Sequence, residues 1–171
     1  MNRGSTLPLG GTEVRTRARW LAPTSIAIAA LLPAALPVVA SVPWLPPLGL
    51  LMLLGWRLNR ADTLAPWAAA PLGLIDDLVS GQPIGSAMLG WSLCVLAIEV
   101  LDSRLMWRDF WQNWLIAAGA IGFVLIGTRL IAAQLGAHVD TALLMQVIVS
   151  GALYPLAARF CAALDGKGGR R

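Results

Sequence analysis

Long apolar runs alternate along the chain with short connections that are rich in charge, proline or glycine. The pattern predicts six apolar segments, which are Leu21–Ser41, Val42–Arg57, Leu64–Val79, Ile84–Leu101, Trp111–Leu135 and Thr141–Leu164. A helix needs about 20 residues to cross the hydrocarbon core of a bilayer, and the first, fifth and sixth segments reach that length comfortably. The second and third are shorter. Because the second opens with Pro43, Pro46 and Pro47, we expect it to be tilted, kinked or only partly helical at its start.

The composition places these segments in a membrane. Of the 171 residues, 57% are hydrophobic and 13% are charged, whereas a soluble domain carries about 25% charged residues. So large an excess of apolar surface cannot be buried in one small aqueous core. The sequence therefore predicts an all-α integral membrane protein with six transmembrane helices. We expect a basic tail over residues 1–20, one helical domain over residues 21–164 and a short basic tail over residues 165–171.

The basic residues predict the orientation of these helices. The chain has 13 Lys and Arg residues, and if the segments alternate in direction, all of them except Arg129 lie on one side. These are Arg3, Arg15, Arg17, Arg19, Arg57, Arg60, Arg104, Arg108, Arg159, Lys167, Arg170 and Arg171. Cytoplasmic loops carry an excess of Lys and Arg, so both termini are expected in the cytoplasm. A cleaved secretory signal is the alternative for the first segment, although such signals have apolar runs of only about 7–15 residues.

Tryptophan placement agrees with this arrangement. Amphipathic indole rings favour the headgroup layer of a bilayer. Six tryptophans lie at the ends of the predicted segments, namely Trp20, Trp44, Trp56, Trp107, Trp111 and Trp114. We therefore expect these six side chains to mark the two membrane surfaces.

Two adjacent carboxylates, Asp76 and Asp77, lie near the outer end of the third segment, where a helix C-terminus already carries partial negative charge. One compensating group is the start of the fourth segment, where Pro83 suits a first helical position and unpaired N–H groups can bond an aspartate oxygen. Since adjacent helical residues point about 100° apart, one aspartate is expected to face the bundle and the other water. We therefore expect one of the two aspartates to have a fixed structural role at the outer end of the third helix.

Arg129 is the second group that can compensate the aspartates. It is the one basic residue that does not lie on the predicted cytoplasmic side, and the fifth segment places it at a depth similar to that of Asp76 and Asp77. An intramembrane pair between Arg129 and one aspartate is one expectation. The other is that Arg129 extends to the outer surface and the aspartates are hydrated there.

Enzymatic chemistry has no candidate residues near the aspartate pair, which no nucleophile, histidine or metal-ligand cluster accompanies. Cys94 and Cys161 lie inside apolar runs, which favours packed thiols over a disulfide or a metal site. His138 has no His or Cys neighbour. We expect no catalysis, no metal and no cofactor. Because the basic residues flank apolar segments, their expected partner is the lipid bilayer and not a nucleic acid.

Residues 73–85, GLIDDLVSGQPIG, resemble the signature loop of the bacterial rod shape-determining protein MreD family. The residues that match the family pattern are Asp77, Ser80, Gly81, Pro83 and Gly85. Asp76 is an addition to that pattern, and we predict that Asp77 joins the outer ends of the third and fourth helices. The second segment, LPPLGLLMLLGWRLNR, resembles the family's proline-opened segment with its aromatic and basic exit.

The end of the sixth segment, VSGALYPLAARF, is also similar to the family, with Gly151 and Pro155 in matching positions. Pro155 is expected to kink this helix. Ser150 stands where the family often has an amide side chain, so this chain departs from the pattern there.

The resemblance implies a non-catalytic protein of the cell-elongation machinery in the bacterial inner membrane. Its implied partners are an MreC-like membrane protein and, through it, MreB filaments and the glycosyltransferase and transpeptidase that synthesise peptidoglycan. It also implies a fold similar to the substrate-binding subunits of energy-coupling-factor transporters. The alternative function is therefore a solute-binding or transport subunit, with a pocket near the outer face closed by the Asp76–Asp77 turn. A homodimer is compatible with either function.

Overall fold

The computed structural model describes residues 10–35, 45–60, 63–104, 109–132 and 141–168, and these residues are predominantly helical. A short 3-10 turn, Pro66–Ala68, precedes the third helix. The α-helices are α1 (Gly10–Ala35), α2 (Leu48–Asn59), α3 (Ala69–Ser80), α4 (Ser86–Arg104), α5 (Phe110–Ala132) and α6 (Thr141–Gly168). The predicted all-α class is confirmed for the described part of the chain.

The helices differ in whether they can cross a membrane alone. Within the described residues, the helices that are long and apolar enough are α4, α5 and α6. The apolar part of α1, Trp20–Pro33, and helix α2 are shorter. Helix α2 starts only after Pro47, because the preceding prolines cannot donate backbone hydrogen bonds. The expectation of a partly helical start is therefore confirmed, and residues 36–44 lie outside the described ranges.

Helix α1 begins earlier than predicted. Its first residue is Gly10, so Arg15, Arg17 and Arg19 are helical and do not form an irregular tail. The apolar pattern starts only at Leu21 and gives no signal for these preceding turns. A helix can extend through such a polar stretch because Arg and Glu have good helix propensity.

Helix α2 is the central helix of the bundle. Every residue from Gly49 to Leu58 is buried, which is the pattern of a helix that is surrounded on all sides. Helices α1, α5 and α6 pack around it. At the crossing with α6, the Cys161 thiol lies 3.8 Å from the carbonyl oxygen of Met52. Cys94 and Cys161 are both buried free thiols.

Helices α2, α4 and α6 finish at the same end of the bundle, which we call the basic end. Arg57 of α2 lies 3.9 Å from Asp102 near the end of α4. Arg60, directly after α2, lies 3.1 Å from Asp165 near the end of α6. The side chain of Asn59 donates a hydrogen bond of 2.8 Å to the carbonyl oxygen of Ala158. The three helices therefore run in the same direction, with basic residues where they end.

The structure corrects the prediction for two of the tryptophans. Trp56 is 1% exposed, and its indole N–H donates a 2.9 Å hydrogen bond to the Ser25 hydroxyl. It belongs to the core because α2 is enclosed by its neighbours. Trp114 is half-buried, and its N–H donates a 3.0 Å hydrogen bond to the Gly151 carbonyl oxygen on α6. Trp20 and Trp111 are exposed, whereas Trp44 and Trp107 lie outside the described residues.

Candidate functional site

The side chain of Asp77 joins the end of α3 to the start of α4. It is 1% exposed. Its Oδ1 atom accepts hydrogen bonds from the Ser86 hydroxyl at 2.9 Å and from the Ala87 N–H at 2.8 Å. Its Oδ2 atom accepts from the Gly85 N–H at 2.9 Å and from the Met88 N–H at 3.2 Å. Each carboxylate oxygen therefore has two donors, which fills the acceptor sites that an ionised carboxylate offers.

These hydrogen bonds complete the first turn of α4. A helix N-terminus leaves four backbone N–H groups without partners inside the helix. The first bond inside α4 runs from the Leu89 N–H to the Gly85 carbonyl oxygen at 2.9 Å. The N–H of Ser86 donates to the Pro83 carbonyl oxygen at 3.1 Å, and the remaining donors bond to Asp77. The cap of α4 thus comes from a side chain on another helix, since Gly85 has no side chain at the usual capping position.

The electrostatics of this site favour a negative charge. A helix N-terminus carries about half a positive elementary charge, and Asp77 lies directly against it with backbone N–H groups pointed at both oxygens. A buried carboxylate is costly unless it is paired and hydrogen-bonded. Here the N-terminus of α4 supplies that compensation through the four donors of residues 85–88.

Two glycines shape the turn between the helices. Gly81 follows α3 with φ 65°, and Gly85 precedes α4 with φ 100°. Both values lie in the region that side-chain-bearing residues rarely adopt, and a glycine in the left-handed conformation is a common helix terminator. The turn over residues 81–85, which we call the α3–α4 turn, brings the α4 N–H groups back towards Asp77.

Gly73 allows the two helices to touch at the same place. It lies one turn before Asp77 on the same face of α3. A Cβ atom at Gly73 would lie 2.7 Å from the Met88 Cα and 2.8 Å from the Ala87 carbonyl oxygen. These are backbone atoms of the first turn of α4. The absence of a side chain at Gly73 therefore allows α3 and α4 to approach closely enough for Asp77 to reach its donors on α4.

The other predicted residues of this segment have different surroundings. Asp76 is half-buried, so the two aspartates face different environments as their angular separation requires. Ser80 ends α3 and is exposed. The prediction that Pro83 occupies the first helical position is wrong, because α4 begins at Ser86. Pro83 instead lies in the turn, where its carbonyl oxygen accepts the bond from Ser86.

Arg129 and Pro155 lie away from this turn along the chain. Arg129 is exposed in the last turn of α5, and its pairing with either aspartate stays a prediction. Helix α6 continues through Pro155, which is half-buried, and the expected kink also stays a prediction. Among residues 10–35, 45–60, 63–104, 109–132 and 141–168, no group of three or more His, Cys, Asp or Glu side chains is placed to hold a metal ion.

A buried ion pair at the basic end was not predicted. Arg57 was expected to serve only as a basic residue at the membrane surface, yet it is 5% exposed and its Nη2 lies 3.9 Å from Asp102 Oδ2. The sequence contains a signal for it, because Arg57 ends one apolar segment and Asp102 follows another on the same predicted side. Opposite charges at the same depth of neighbouring membrane helices can pair.

We expect Arg57→Met to destabilise the protein by about 1–3 kcal/mol, since it removes the positive charge that offsets the partly buried carboxylate of Asp102. The cost falls below the usual value for a buried pair because Asp102 is 22% exposed and can be hydrated. The double variant Arg57→Met/Asp102→Leu should recover most of this loss. Unfolding of both variants in mixed micelles measures the coupling, and equal losses in the single and double variants would contradict a stabilising pair.

Hydrogen bonds also fasten α6 at the end of the bundle opposite the basic end. The Gln146 side chain donates a 2.7 Å hydrogen bond to the carbonyl oxygen of Leu45, just before α2. Ser150 is fully buried, and its hydroxyl donates to the Gln146 carbonyl oxygen at 2.6 Å. The Ser150 hydroxyl therefore bonds within α6. The Gln146 side chain bonds to a different segment, as is expected of polar side chains between membrane helices.

Comparison with known proteins identifies the family. The family model described as rod shape-determining protein MreD matches residues 14–164, which include the Asp77 site and α2 to α5 in full. No curated protein and no solved structure matches the chain. The match covers most of the sequence, and the apolar helices fit a membrane protein that takes part in determining cell shape. The chain belongs to the rod shape-determining protein MreD family.

Proposed function

We propose that this protein is a non-catalytic scaffold of the cell-elongation complex in the bacterial inner membrane. In this role it supports an MreC-like membrane protein and thereby couples MreB filaments to the glycosyltransferase and transpeptidase that build peptidoglycan. Membership of the MreD family carries the proposal. This role requires helices that keep fixed positions relative to one another in the bilayer. Contacts between helix ends, such as the hydrogen bonds of Asp77 and the Arg57–Asp102 pair, hold the helices in such positions.

The Asp77 site supports a structural role and not a chemical one. Both carboxylate oxygens are occupied by donors from the chain itself. A general base or a ligand-binding carboxylate needs a lone pair that is free to accept from the substrate. Asp77 instead fixes α3 against α4. In this proposal the family's signature loop holds two neighbouring membrane helices together, and we call the four hydrogen bonds from residues 85–88 to Asp77 the clamp between α3 and α4.

We further propose six membrane crossings with both termini in the cytoplasm. The shared direction of α2, α4 and α6, with basic residues at the ends of all three, supports alternating segments. Helices α2 and α3 each have 12 residues, or about 18 Å of helix against a core of about 30 Å. The residues before each helix, Leu45–Pro47 and Pro66–Ala68, extend these two crossings.

Partner proteins meet such a chain chiefly through packing of helices in the bilayer, because the connections between its helices are short. Helix α5 offers one such surface, where the apolar side chains of Leu115, Phe123, Ile126 and Leu130 are exposed. Lipid tails are as apolar as these residues, so the binding free energy of a partner helix comes from close packing and not from the burial of apolar surface away from water. A homodimer through one of these faces is part of the same proposal.

The alternative is a solute-binding subunit with a fold similar to those of energy-coupling-factor transporters. It requires an open site beneath the α3–α4 turn. The two large apolar grooves that the described residues form lie in other places, between α1, α2 and α6 and between α4 and α5. The acceptor atoms of Asp77 are occupied as well. These observations favour the scaffold.

The proposal is tested by replacing the protein in its own bacterium. We expect cells that are depleted of it to lose their rod shape and become round, with normal uptake of vitamins and other small solutes. Wild type and Asp76→Ala should restore the rods, whereas Asp77→Ala should not. Cell width and the pattern of new peptidoglycan are the measurements. Cells that remain rods while the uptake of one solute falls would favour the transport subunit and contradict the scaffold.

A further inference from the structure

An apolar groove of about 510 Å³ runs between α1, α2 and α6. Its lining is made of aliphatic and aromatic side chains with the Ser25 hydroxyl as the polar exception, and it includes Leu32 and Leu48 at one end and Leu164 at the other. Exposed apolar side chains on its rim, such as Ile28 and Phe160, lie where they would meet lipid. The groove is open to the surroundings of the bundle and continuous with its apolar surface.

The length of the groove matches a single leaflet. Along α6 its lining extends from Leu153 to Leu164, which is about 16 Å of helix. The hydrocarbon core of a bilayer is about 30 Å thick, so each leaflet contributes about half of that. A transmembrane helix of a partner would need a surface along the whole thickness. A groove of this length instead fits a lipid acyl chain, which ends near the middle of the bilayer.

One end of the groove is strongly basic. Ser25 lies about 9 Å along α1 from Arg19, and Arg15 and Arg17 belong to the preceding turns of that helix. Exposed Trp20 marks the level of the membrane surface there. At the matching end of α6, Leu164 adjoins Asp165, which pairs with Arg60, and Arg60 is 53% exposed. The turns of α1 before Trp20 and the residue after α2 therefore bring basic residues to this end of the groove, which favours an anionic headgroup.

A second groove provides a contrast. It lies between α4 and α5, has a volume of about 480 Å³ and is also apolar, with Ala97, Leu101 and Ile116 in its lining. The residues near its basic-end opening are Arg104 and the acids Glu99, Asp102 and Asp109, of which Asp102 pairs with Arg57. The two grooves are alike in size and polarity but differ in the charge at their openings, so only the first suits an anionic headgroup.

We propose that the groove between α1, α2 and α6 binds one anionic phospholipid of the cytoplasmic leaflet. An acyl chain lies against Ala29, Met52 and Ala157, and the phosphate lies at the end of the groove that is formed by the start of α1 and by Arg60 after α2. The side chain of Arg60 can serve both Asp165 and a phosphate, since a guanidinium has five N–H donors. The assignment of the lipid to the cytoplasmic leaflet rests on the proposed orientation, with both termini in the cytoplasm. The groove and the basic residues at its opening do not depend on that orientation.

Native mass spectrometry of the purified protein tests this proposal, with dioleoyl phosphatidylglycerol and dioleoyl phosphatidylcholine as probes that share their acyl chains. We expect wild type to retain one phosphatidylglycerol and to bind phosphatidylcholine about tenfold more weakly. Ala29→Phe and Ala157→Phe fill the groove and should each abolish this retention. Ala97→Phe fills the groove between α4 and α5, so it is the matched control and should leave retention unchanged. The double variant Arg17→Gln/Arg19→Gln should lower phosphatidylglycerol binding to the phosphatidylcholine value.

Several results would overturn the proposal. Equal retention of the two lipids would show that the groove does not select an anionic headgroup. Unchanged retention in both groove-filling variants, or an equal loss in Ala97→Phe, would show that the groove is not the site. A polypeptide that crosslinks from within the groove in native membranes would replace the lipid with a protein partner. Thermal unfolding of each variant identifies those that fail to fold, and two groove-filling positions keep the test decisive if one of them does.

Discussion

Asp77→Ala should lower the free energy of unfolding by about 3–5 kcal/mol, because each buried donor that loses its acceptor costs about 1–3 kcal/mol. The N–H groups of Gly85, Ala87 and Met88 and the hydroxyl of Ser86 all bond to this one side chain. The expected loss of stability is smaller than the sum of these four costs, because the adjoining turn is exposed and water can bond to some of the donors in the variant. Titration with a denaturing detergent in mixed micelles measures the loss.

Two further variants sharpen this test. Asp77→Asn keeps one acceptor oxygen but directs an amide N–H₂ at two of the four donors, so we expect an intermediate loss. Asp76→Ala removes the same kind of carboxylate from the next position of α3, where it is half-buried, and should cost much less. If Asp77→Ala and Asp76→Ala unfold at the same detergent concentration as wild type, the clamp between α3 and α4 contributes nothing.

Gly73→Ala should destabilise the protein, although the same change in an exposed helix stabilises it by up to about 1 kcal/mol. The added Cβ would lie 2.7 Å from the Cα of Met88 and 2.8 Å from its backbone N atom. Backbone atoms cannot rotate away, so α3 and α4 must separate, and overpacking of this kind costs about 1–3 kcal/mol. Separation also lengthens the hydrogen bonds to Asp77. We expect a net loss, visible as a lower midpoint of thermal unfolding in mild detergent.

Gly127→Ala is the control for this prediction. Gly127 lies in α5, and a Cβ added there meets nothing within 4 Å. The two glycine substitutions are therefore expected to change stability in opposite directions. A rise in stability for Gly73→Ala would show that the close contact between α3 and α4 does not exist in the folded protein.

The connection between α3 and α4 could be expected from the sequence because its chemistry is local. Two adjacent aspartates before a turn with two glycines require donors, and the next helix N-terminus supplies them. Angular spacing separates the two side chains but does not say which face of α3 meets α4, so the prediction of Asp77 followed the resemblance to the family's loop, in which Asp76 is an addition. The contact at Gly73 adds that information, because Gly73 and Asp77 share one face.

Features that depend on distant packing were missed. Trp56 and Arg57 stand near a segment end and were assigned to the membrane surface, whereas both are buried because other helices enclose α2. No local pattern distinguishes a central helix from a peripheral one when both are apolar all round. The late start of α2 was predictable from its prolines, which act locally.

The central claim is that Asp77 holds a membrane scaffold in the shape that its partners recognise. A mild-detergent pull-down of the tagged protein from its own membranes, with mass spectrometry of bound proteins and small molecules, tests it most directly. We expect wild type to recover an MreC-like protein and the elongation synthases, Asp76→Ala to recover them equally well and Asp77→Ala to lose them. Recovery of an ATPase-coupled transport module or a stoichiometric metabolite with wild type would contradict this account.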